Sequence, residues 1–159
     1  MKIVIVGKAA SGKDYLRKRM MQQGAKYGVS YTTRPPRVKD GEVHGVDYLF
    51  TTEEDFLERV ERGEMIEYQQ FNGWYYGMTK DVFNECEVMI LNVEGLAMLS
   101  PEIRKQCFVI FIDIDQETRI ERLGARKDVD DLKWRRLQAD EEQFKGFTDY
   151  DMRITDPNF

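Results

Sequence analysis

The first residues that can do chemistry form a glycine-rich loop near the start of the chain. An apolar run at residues 3–6 leads into the segment Gly7-Lys8-Ala9-Ala10-Ser11-Gly12-Lys13, and a helical pattern follows. This order of strand, loop and helix is the context of a phosphate-binding P-loop. The glycines let backbone N–H groups converge on an anion, and the helix N-terminus adds positive potential. The segment predicts a triphosphate site with Lys13 reaching the β- and γ-phosphates, although a plain glycine-rich turn has the same spacing.

The residue after the loop lysine departs from the usual pattern. A P-loop carries Ser or Thr there, whose hydroxyl binds Mg²⁺, and this chain has Asp14. A carboxylate is itself a hard oxygen ligand for Mg²⁺, which it can bind directly or through water. Asp14 can equally cap the helix. We therefore expect Mg²⁺ as cofactor, with Asp14 as its candidate ligand.

Length and charge narrow the class of protein. The chain has 159 residues and a net charge of −5, and its pI is about 5.1. These values predict one enzyme domain that binds neither nucleic acid nor an anionic membrane. The sequence contains no signal peptide and no run of eighteen apolar residues, which predicts a cytoplasmic protein. Cys86 and Cys107 lack metal-ligand spacing, so we expect two small buried hydrophobes.

Two helices near the start of the chain can be read from spacing. Leu16 and Met20 keep helical spacing after the loop, and Gly24 is a stop signal, which predicts a helix from about Lys13 to Gln23. The pair Thr51 and Glu54 has the spacing of a capping box, and apolar residues follow at helical intervals. This pattern predicts a second helix that ends near residue 63.

Two continuous apolar runs predict the centre of a parallel sheet. They span residues 88–91 and 107–112, and both lack the alternation of a half-exposed strand. Polar side chains follow each run, and ligands bind beyond the carboxyl ends of such strands. For Asp113 and Asp115, helix capping is favoured over catalysis. For Glu94, a ligand contact and a plain surface position stay equally open.

Arginines recur on one side of the helical segment that follows. Arg119, Arg122 and Arg126 are spaced by three and four residues, so that they share a helix face, and Arg135 and Arg136 follow on a second helix. Such a face suits a flap that closes over phosphates. A solubilising surface has the same spacing, and both readings stay open.

A longer combination of segments carries a family resemblance. Residues 29–37 and 41–48 resemble the GMP-binding region of guanylate kinases, and residues 65–68 with 72–77 resemble the base-and-phosphate segment that follows it in that family. Together with the P-loop and the arginines, the resemblance covers nearly the whole chain. The chain is accordingly identified as a member of the guanylate kinase family.

The resemblance implies an α/β fold of the P-loop NTPase type, with a parallel central sheet, a small mixed β subdomain and a helical lid. It assigns about residues 1–30, 85–115 and 148–159 to the core, 31–84 to the GMP-binding subdomain and 116–147 to the lid. The family's C-terminal helix is missing after the last predicted strand at residues 151–155. We therefore expect the lid helices or a partner to cover that face, in a monomer or a homodimer.

The resemblance also implies the reaction, which is ATP-dependent phosphorylation of GMP and dGMP. The implied catalytic residues are Lys13, Arg122, Arg126 and Arg136. The implied GMP-phosphate residues are Arg34, Arg37, Tyr48 and Tyr76, with Glu42 orienting the arginines. The implied contacts to the rest of GMP are Ser30, Glu67, Gly77, Thr79 and Glu94. Arginine forks and tyrosine hydroxyls suit a dianionic phosphate, and one carboxylate can accept both N1–H and the exocyclic amine of guanine.

Two departures from the family's pattern bear on specificity. Met78 stands where similar kinases carry a hydroxyl for the guanine O6, and Asn92 stands where they carry an acid associated with the metal. The first favours a kinase of broader base specificity as an alternative. Both leave open a catalytically weak binding module with the same fold, although retention of Gly7, Gly12 and Lys13 favours catalysis.

Overall fold

The first sheet is built from the apolar runs of the sequence. The computed structural model describes residues 1–124 and 131–159. Its first sheet is parallel, in the order β6, β1, β7, β8, with bounds Lys2–Gly7 for β1, Val88–Ile90 for β6, Cys107–Ile112 for β7 and Met152–Ile154 for β8. The middle of β1 and most of β7 are buried, as expected for strands covered on both faces. The predicted parallel centre is confirmed.

The chain between residues 31 and 79 forms a second, mixed sheet. Its order is β3, β2, β5, β4, with bounds Tyr31–Thr32 for β2, Leu49–Phe50 for β3, Met65–Phe71 for β4 and Trp74–Thr79 for β5. Strands β4 and β5 form a hairpin whose two turn residues, Asn72 and Gly73, both have positive φ, 51° and 81°. Asn-Gly is the residue pair that this tight turn favours.

Helices connect and flank the strands of the described ranges. Their bounds are α1 Lys13–Gln22, α2 Glu53–Glu61, α3 Lys80–Glu85, α4 Val93–Met98, α5 Pro101–Arg104, α6 Gln116–Gly124 and α7 Asp131–Phe144, with a 3-10 turn at Val38–Asp40. The helix predicted from Lys13 to Gln23 is confirmed to within one residue. Within the described parts of the chain, no helix is both long and apolar enough to cross a membrane.

The second helix is capped one residue later than predicted. Thr52, not Thr51, accepts the capping hydrogen bond, from the Asp55 N–H at 3.1 Å. Thr51 is still held in the second sheet, because its N–H donates to the Thr32 carbonyl oxygen at 2.9 Å, and its hydroxyl donates to Asp55 Oδ2 at 2.6 Å. The proposed Thr51–Glu54 capping box is therefore wrong by one position.

The two aspartates after β7 have different partners. Asp115 accepts hydrogen bonds from the N–H of Thr118 at 2.9 Å and from its hydroxyl at 2.7 Å, at the start of α6. These bonds hold the pKa of Asp115 below its usual range. Asp113 instead accepts from the Arg153 guanidinium on β8. Capping is thus confirmed for Asp115 and wrong for Asp113, because a strand neighbour supplies a cation there.

Helices lie against both faces of the first sheet. Leu16 and Met20 of α1 pack on one face, against a cluster that contains Ile5. On the other face, Phe144 of α7 stacks on Phe111 of β7, with ring centroids 5.2 Å apart and planes 10° apart. A helix that the sequence assigned to the lid therefore covers part of the sheet.

The two cysteines lie within the apolar interior. Cys86 and Cys107 are free thiols, and both are buried in the cluster that packs on the α7 side of the sheet. Burial raises the pKa of both thiols. The expectation of small buried hydrophobes is confirmed.

One buried ring provides a test of the packing of the second sheet. Phe56 of α2 is fully buried and stacks on Tyr75 with ring centroids 5.3 Å apart. We expect Phe56→Ala to lower the free energy of unfolding by about 3–5 kcal/mol in urea titrations, because it leaves a cavity. The control Leu57→Ala changes the next residue of α2, which is 39% exposed, and should cost less than about 1 kcal/mol. Similar losses in both variants would contradict this packing.

Candidate nucleotide-binding site

The glycine-rich loop joins β1 to α1, and its two glycines are required for different reasons. A Cβ on Gly7 would lie 2.5 Å from the Ser11 Oγ and 2.8 Å from the Ile112 carbonyl oxygen, so close approach excludes a side chain. Gly12 has a positive φ of 105°, which other residues rarely adopt. The backbone therefore has the tight path that a phosphate cradle needs.

Lys13 folds back over the glycine-rich loop. Its Nζ donates to the carbonyl oxygen of Gly7 at 2.6 Å and to that of Lys8 at 3.0 Å. These bonds hold the ammonium group at the mouth of the loop, where it can meet a bound phosphate. The catalytic role of Lys13 stays a prediction that this position supports.

Two carboxylates of α7 bind the glycine-rich loop, and sequence reasoning missed both. The Ala9 N–H donates to Asp140 Oδ2 at 2.7 Å, and the Lys8 Nζ donates to Glu141 Oε1 at 2.9 Å. The bond from Lys8 holds the pKa of Glu141 below its usual range. A P-loop amide is the kind of donor that a phosphate oxygen uses. Asp140 therefore holds a donor that a nucleotide can compete for.

The predicted lid arginines do not share one role. Arg122 reaches the glycine-rich loop, donating from Nη1 to the Ala10 carbonyl oxygen at 3.0 Å and from Nη2 to that of Pro157 at 2.8 Å. Arg119 is fully buried and donates to Glu141 and to the Ile114 carbonyl oxygen, so it is not a solvated surface residue. Arg126 and the side chain of Arg136 lie outside the described residues.

Asp14 is the candidate Mg²⁺ ligand of the described chain. One of its carboxylate oxygens lies 3.1 Å from the Arg17 Nε, and its side chain is 74% exposed. Gly12 occupies the N-cap of α1 and Asp14 lies inside the helix, so capping by Asp14 is wrong. Among the residues that the structure describes, no group of three or more His, Cys, Asp or Glu side chains can hold a metal. Mg²⁺ needs only one or two carboxylates when nucleotide phosphates supply its other ligands, and an exposed Asp14 fits that role.

A second group of anion-binding side chains lies in the mixed sheet. Arg34 makes two hydrogen bonds to Glu42, each 2.8 Å long, and its guanidinium carbon lies 5.4 Å from the Tyr48 ring centroid. The rings of Tyr48 and Tyr76 lie 5.9 Å apart. The bond to Arg34 lowers the pKa of Glu42, and the bond to Glu42 raises the pKa of Arg34. The structure thus brings together three of the four predicted phosphate residues, Arg34, Tyr48 and Tyr76, with the predicted orienting acid Glu42.

Two further predicted residues lie at the edge of this group. The Arg37 N–H donates to Glu42 Oε1 at 2.7 Å, while its side chain is exposed. Ser30 precedes β2, and its carbonyl oxygen accepts from the Leu49 N–H. Glu42 therefore bonds to the side chain of Arg34 and to the backbone of Arg37. That it orients both arginine side chains stays a prediction.

Glu67 is a buried carboxylate between the second sheet and α4. Only 3% of the residue is exposed, and Oε2 has no hydrogen-bond partner within the described parts of the chain. Burial raises the pKa of Glu67 to about 7, and a backbone hydrogen bond from Met78 opposes this only in part. An acceptor that lacks a donor suits a ligand with N–H groups.

The residues predicted to contact the base together with Glu67 make other contacts in the structure. Gly77 is required by packing, because a Cβ there would lie 2.8 Å from the Glu67 carbonyl oxygen. Met78 is fully buried, and Thr79 accepts from the Val82 N–H at the start of α3. Glu94 is exposed and accepts from the Gln143 amide at 3.3 Å. Base contacts by Gly77, Thr79 and Glu94 stay predictions.

The comparison with known families decides what this site belongs to. A family model described as "Guanylate kinase" matches residues 1–159, the whole chain. The chain belongs to the guanylate kinase family. The resemblance drawn from the sequence is thereby confirmed, and with it the assignment to nucleotide-binding enzymes that transfer phosphoryl groups.

Individual guanylate kinases agree with this assignment. Those of Streptococcus pyogenes serotypes M3 and M18 are each 31% identical to the chain over 162 residues, covering 96% of the chain and 76% of the relative. The crystal structure of guanylate kinase from Anaplasma phagocytophilum matches with a TM-score of 0.68 and 24% identity, covering 99% of this chain and 78% of that one. The predicted P-loop NTPase fold is confirmed.

The contact between Asp140 and the glycine-rich loop predicts a change in ATP affinity. Asp140→Asn removes a negative charge that lies 2.7 Å from the Ala9 amide nitrogen, so a neutral and weaker acceptor competes with the triphosphate for this N–H. We expect the KM for ATP to fall about three- to tenfold, as for loss of one charge-assisted contact, with the KM for GMP unchanged.

The matched control is Asp149→Asn, which changes an exposed carboxylate that pairs with Arg104 away from the loop. It should leave both KM values at those of the unmodified protein. An unchanged or higher KM for ATP in the Asp140→Asn variant would show that Asp140 does not compete with the nucleotide.

Burial of Glu67 predicts an unusual pH dependence of stability. A folded-state pKa of about 7 exceeds the model-peptide value of 4.5, so the folded chain binds more protons between these values. The stability that the protonated carboxyl contributes is full below pH 4.5 and is lost as the pH rises through 7. We expect Glu67→Gln to raise the Tm of the ligand-free protein relative to the unmodified chain, and by more at pH 8 than at pH 5.

Differential scanning calorimetry at both pH values measures this effect. The control Glu58→Gln changes an exposed carboxylate of α2 that pairs with Arg62, and its Tm difference should vary little with pH. A Tm difference between Glu67→Gln and the unmodified protein that is the same at pH 8 as at pH 5 would refute the buried, proton-binding carboxyl.

Proposed function

We propose that the protein transfers the γ-phosphoryl group of ATP to the phosphate of GMP or dGMP. The observation that carries this proposal is the buried, incompletely bonded Glu67 carboxylate on the same sheet as the Arg34, Tyr48 and Tyr76 group. Guanine presents two adjacent N–H donors that one carboxylate can accept. A nucleoside monophosphate can therefore be held at both ends by one sheet.

The register of the sheet supports one nucleotide spanning both groups. Gln69 on β4 pairs with Tyr76 on β5, two positions along from the pair of Glu67 and Met78. Tyr76 pairs in turn with Thr32 on β2, two residues before Arg34. In this proposal Arg34, Arg37, Tyr48 and Tyr76 bind the GMP phosphate, Glu42 orients the arginines, and Glu67 accepts from the base.

The proposed chemistry needs positioning and charge neutralisation more than proton transfer. An oxygen of the GMP phosphate attacks the γ-phosphorus in line, and no general base is required. Lys13 and Arg122 lie at the glycine-rich loop and neutralise the charge that develops, and Arg126 and Arg136 are proposed to join them. Mg²⁺, held at Asp14, would supply further positive charge to the phosphates when bound.

The proposed organisation is a single domain with three parts. The core takes about residues 1–30, 85–115 and 148–159, the GMP-binding part 31–84 and the lid 116–147. Every proposed contact comes from one chain, so a monomer suffices for the reaction. Closure of the lid would exclude water, which would otherwise hydrolyse ATP.

Broader base specificity is the second candidate, and the position of Met78 favours it. The Met78 side chain is fully buried, and the neighbouring Thr79 hydroxyl caps α3. Met78 has no hydroxyl, and Thr79 is buried at the cap, so neither presents an exposed hydroxyl to the guanine O6. Recognition then depends on Glu67, which selects for N–H donors on the base.

A coupled assay of ADP release tests both candidates. ATP with Mg²⁺ is offered with GMP, dGMP, AMP, CMP and UMP in parallel, and we expect turnover with GMP and dGMP. Lys13→Met should retain the fold and lose turnover about a hundredfold or more, because an electrostatic contact in the transition state is removed. Turnover with all five acceptors would establish the broader kinase, and GMP binding without turnover would overturn the proposed reaction.

A further inference from the structure

A pair of side-chain amides joins the second sheet to the start of α4, next to the buried carboxylate. Gln69 belongs to β4, and Asn92 directly precedes α4. The Gln69 Nε2 donates to Asn92 Oδ1 at 2.7 Å, and the Asn92 Nδ2 donates back to Gln69 Oε1. The same Asn92 Oδ1 accepts from the Gly95 N–H at 2.8 Å. Two reciprocal hydrogen bonds therefore fix β4 to the first turn of α4.

Gly95 places this amide pair beside Glu67. A Cβ on Gly95 would lie 2.7 Å from Glu67 Oε2 and 3.1 Å from Asn92 Oδ1, so the carboxylate and the amide share one small space that glycine leaves open. Glu67 and Gln69 alternate along β4, so their side chains leave the strand on the same side. The amide pair thus bounds the space in which the Glu67 carboxylate lies.

The amide pair is neutral, and a carboxylate at residue 92 would not be equivalent. Aspartate caps a helix as well as asparagine does. It has no N–H to return to Gln69 Oε1, however, and it would place a negative charge beside Glu67. A like charge raises the pKa of a neighbouring carboxyl and so disfavours its ionised form.

The charged groups on the elements around Glu67 are directed elsewhere in the described chain. On α4, Glu94 is exposed and bonded to Gln143 of α7. On β5, the Met78 backbone makes a hydrogen bond to the Glu67 carboxylate. The charged residues of α3 are all exposed, namely Lys80, Asp81 and Glu85. The group at residue 92 is therefore the one that can most directly alter the charge of Glu67.

We propose that Gln69 and Asn92 are positioning residues that hold the Glu67 carboxylate in place for the substrate base while keeping its surroundings neutral. The proposal rests on the base-reading role of Glu67 given above. Neither amide needs to touch the substrate. Their effect on GMP binding passes through the position of Glu67 and the ease with which it ionises.

Two substitutions test the proposal through the affinity for GMP, measured by titration calorimetry between pH 5.5 and 9. Asn92→Asp keeps the cap of α4 and adds a charge, so the pH at which GMP affinity is half-maximal should rise by about one unit, with affinity at pH 7 falling about fivefold. Gln69→Ala keeps Asn92 and its cap, and should weaken GMP binding about three- to tenfold at every pH. The KM for ATP should not change in either variant.

The control is Gln70→Ala, the next residue of β4, which is exposed and should bind GMP like the unmodified protein. A purely structural amide pair would leave the pH profile of Asn92→Asp unmoved and overturn the proposal. If Asn92→Asp fails to fold, Gln69→Ala decides alone, and GMP affinity equal to that of Gln70→Ala overturns the proposal. A failure of the proposed function looks different, because the unmodified protein would then bind no GMP, or Glu67→Gln would bind it equally well.

Discussion

The Glu67 carboxylate is buried without a cation beside it, and the part of the site on the second sheet is arranged around this constraint. Glu67 is 3% exposed, and one of its oxygens has no partner in the described chain. Such a group costs stability unless it is protonated or meets donors. The surrounding features limit that cost, since Gly95 leaves space for the carboxylate and the Gln69–Asn92 pair adds no charge. The site is thus prepared for a ligand that brings N–H groups.

Both anion sites are already engaged with the protein's own carboxylates. Glu42 holds the Arg34 fork and the Arg37 amide, while Asp140 holds the Ala9 amide and Glu141 holds Lys8. The two cases differ in consequence. Glu42 fixes the direction of a guanidinium that keeps further donors for a phosphate. Asp140 takes a backbone N–H of the loop itself, so an incoming triphosphate must share or displace it.

The sequence predicted the parts whose signals are local. The Gly7 to Lys13 loop, the helix from Lys13 and the apolar strands all depend on short spacings, and each lies where it was expected. Contacts between distant segments could not be predicted in this way. The bonds from the Ala9 N–H to Asp140 and from Gln69 to Asn92 join residues that no period or motif relates. The start of α2 shows the same limit on a small scale, because the local spacing at Thr51 does not indicate the hydrogen bond that its N–H makes to the Thr32 carbonyl oxygen.

Proton release on GMP binding tests the central claim most directly, which is that Glu67 must ionise to accept the base. Calorimetric heats at pH 7 in buffers of different ionisation enthalpy give the number of protons released. Because the pKa of Glu67 in the ligand-free protein is about 7, this carboxyl is about half protonated at pH 7. The unmodified protein should therefore release about half a proton more than Glu67→Gln. Taking this difference also cancels the protons that the GMP phosphate itself gains or loses on binding, because that contribution is the same in both proteins. Equal proton release by the two proteins would contradict the account.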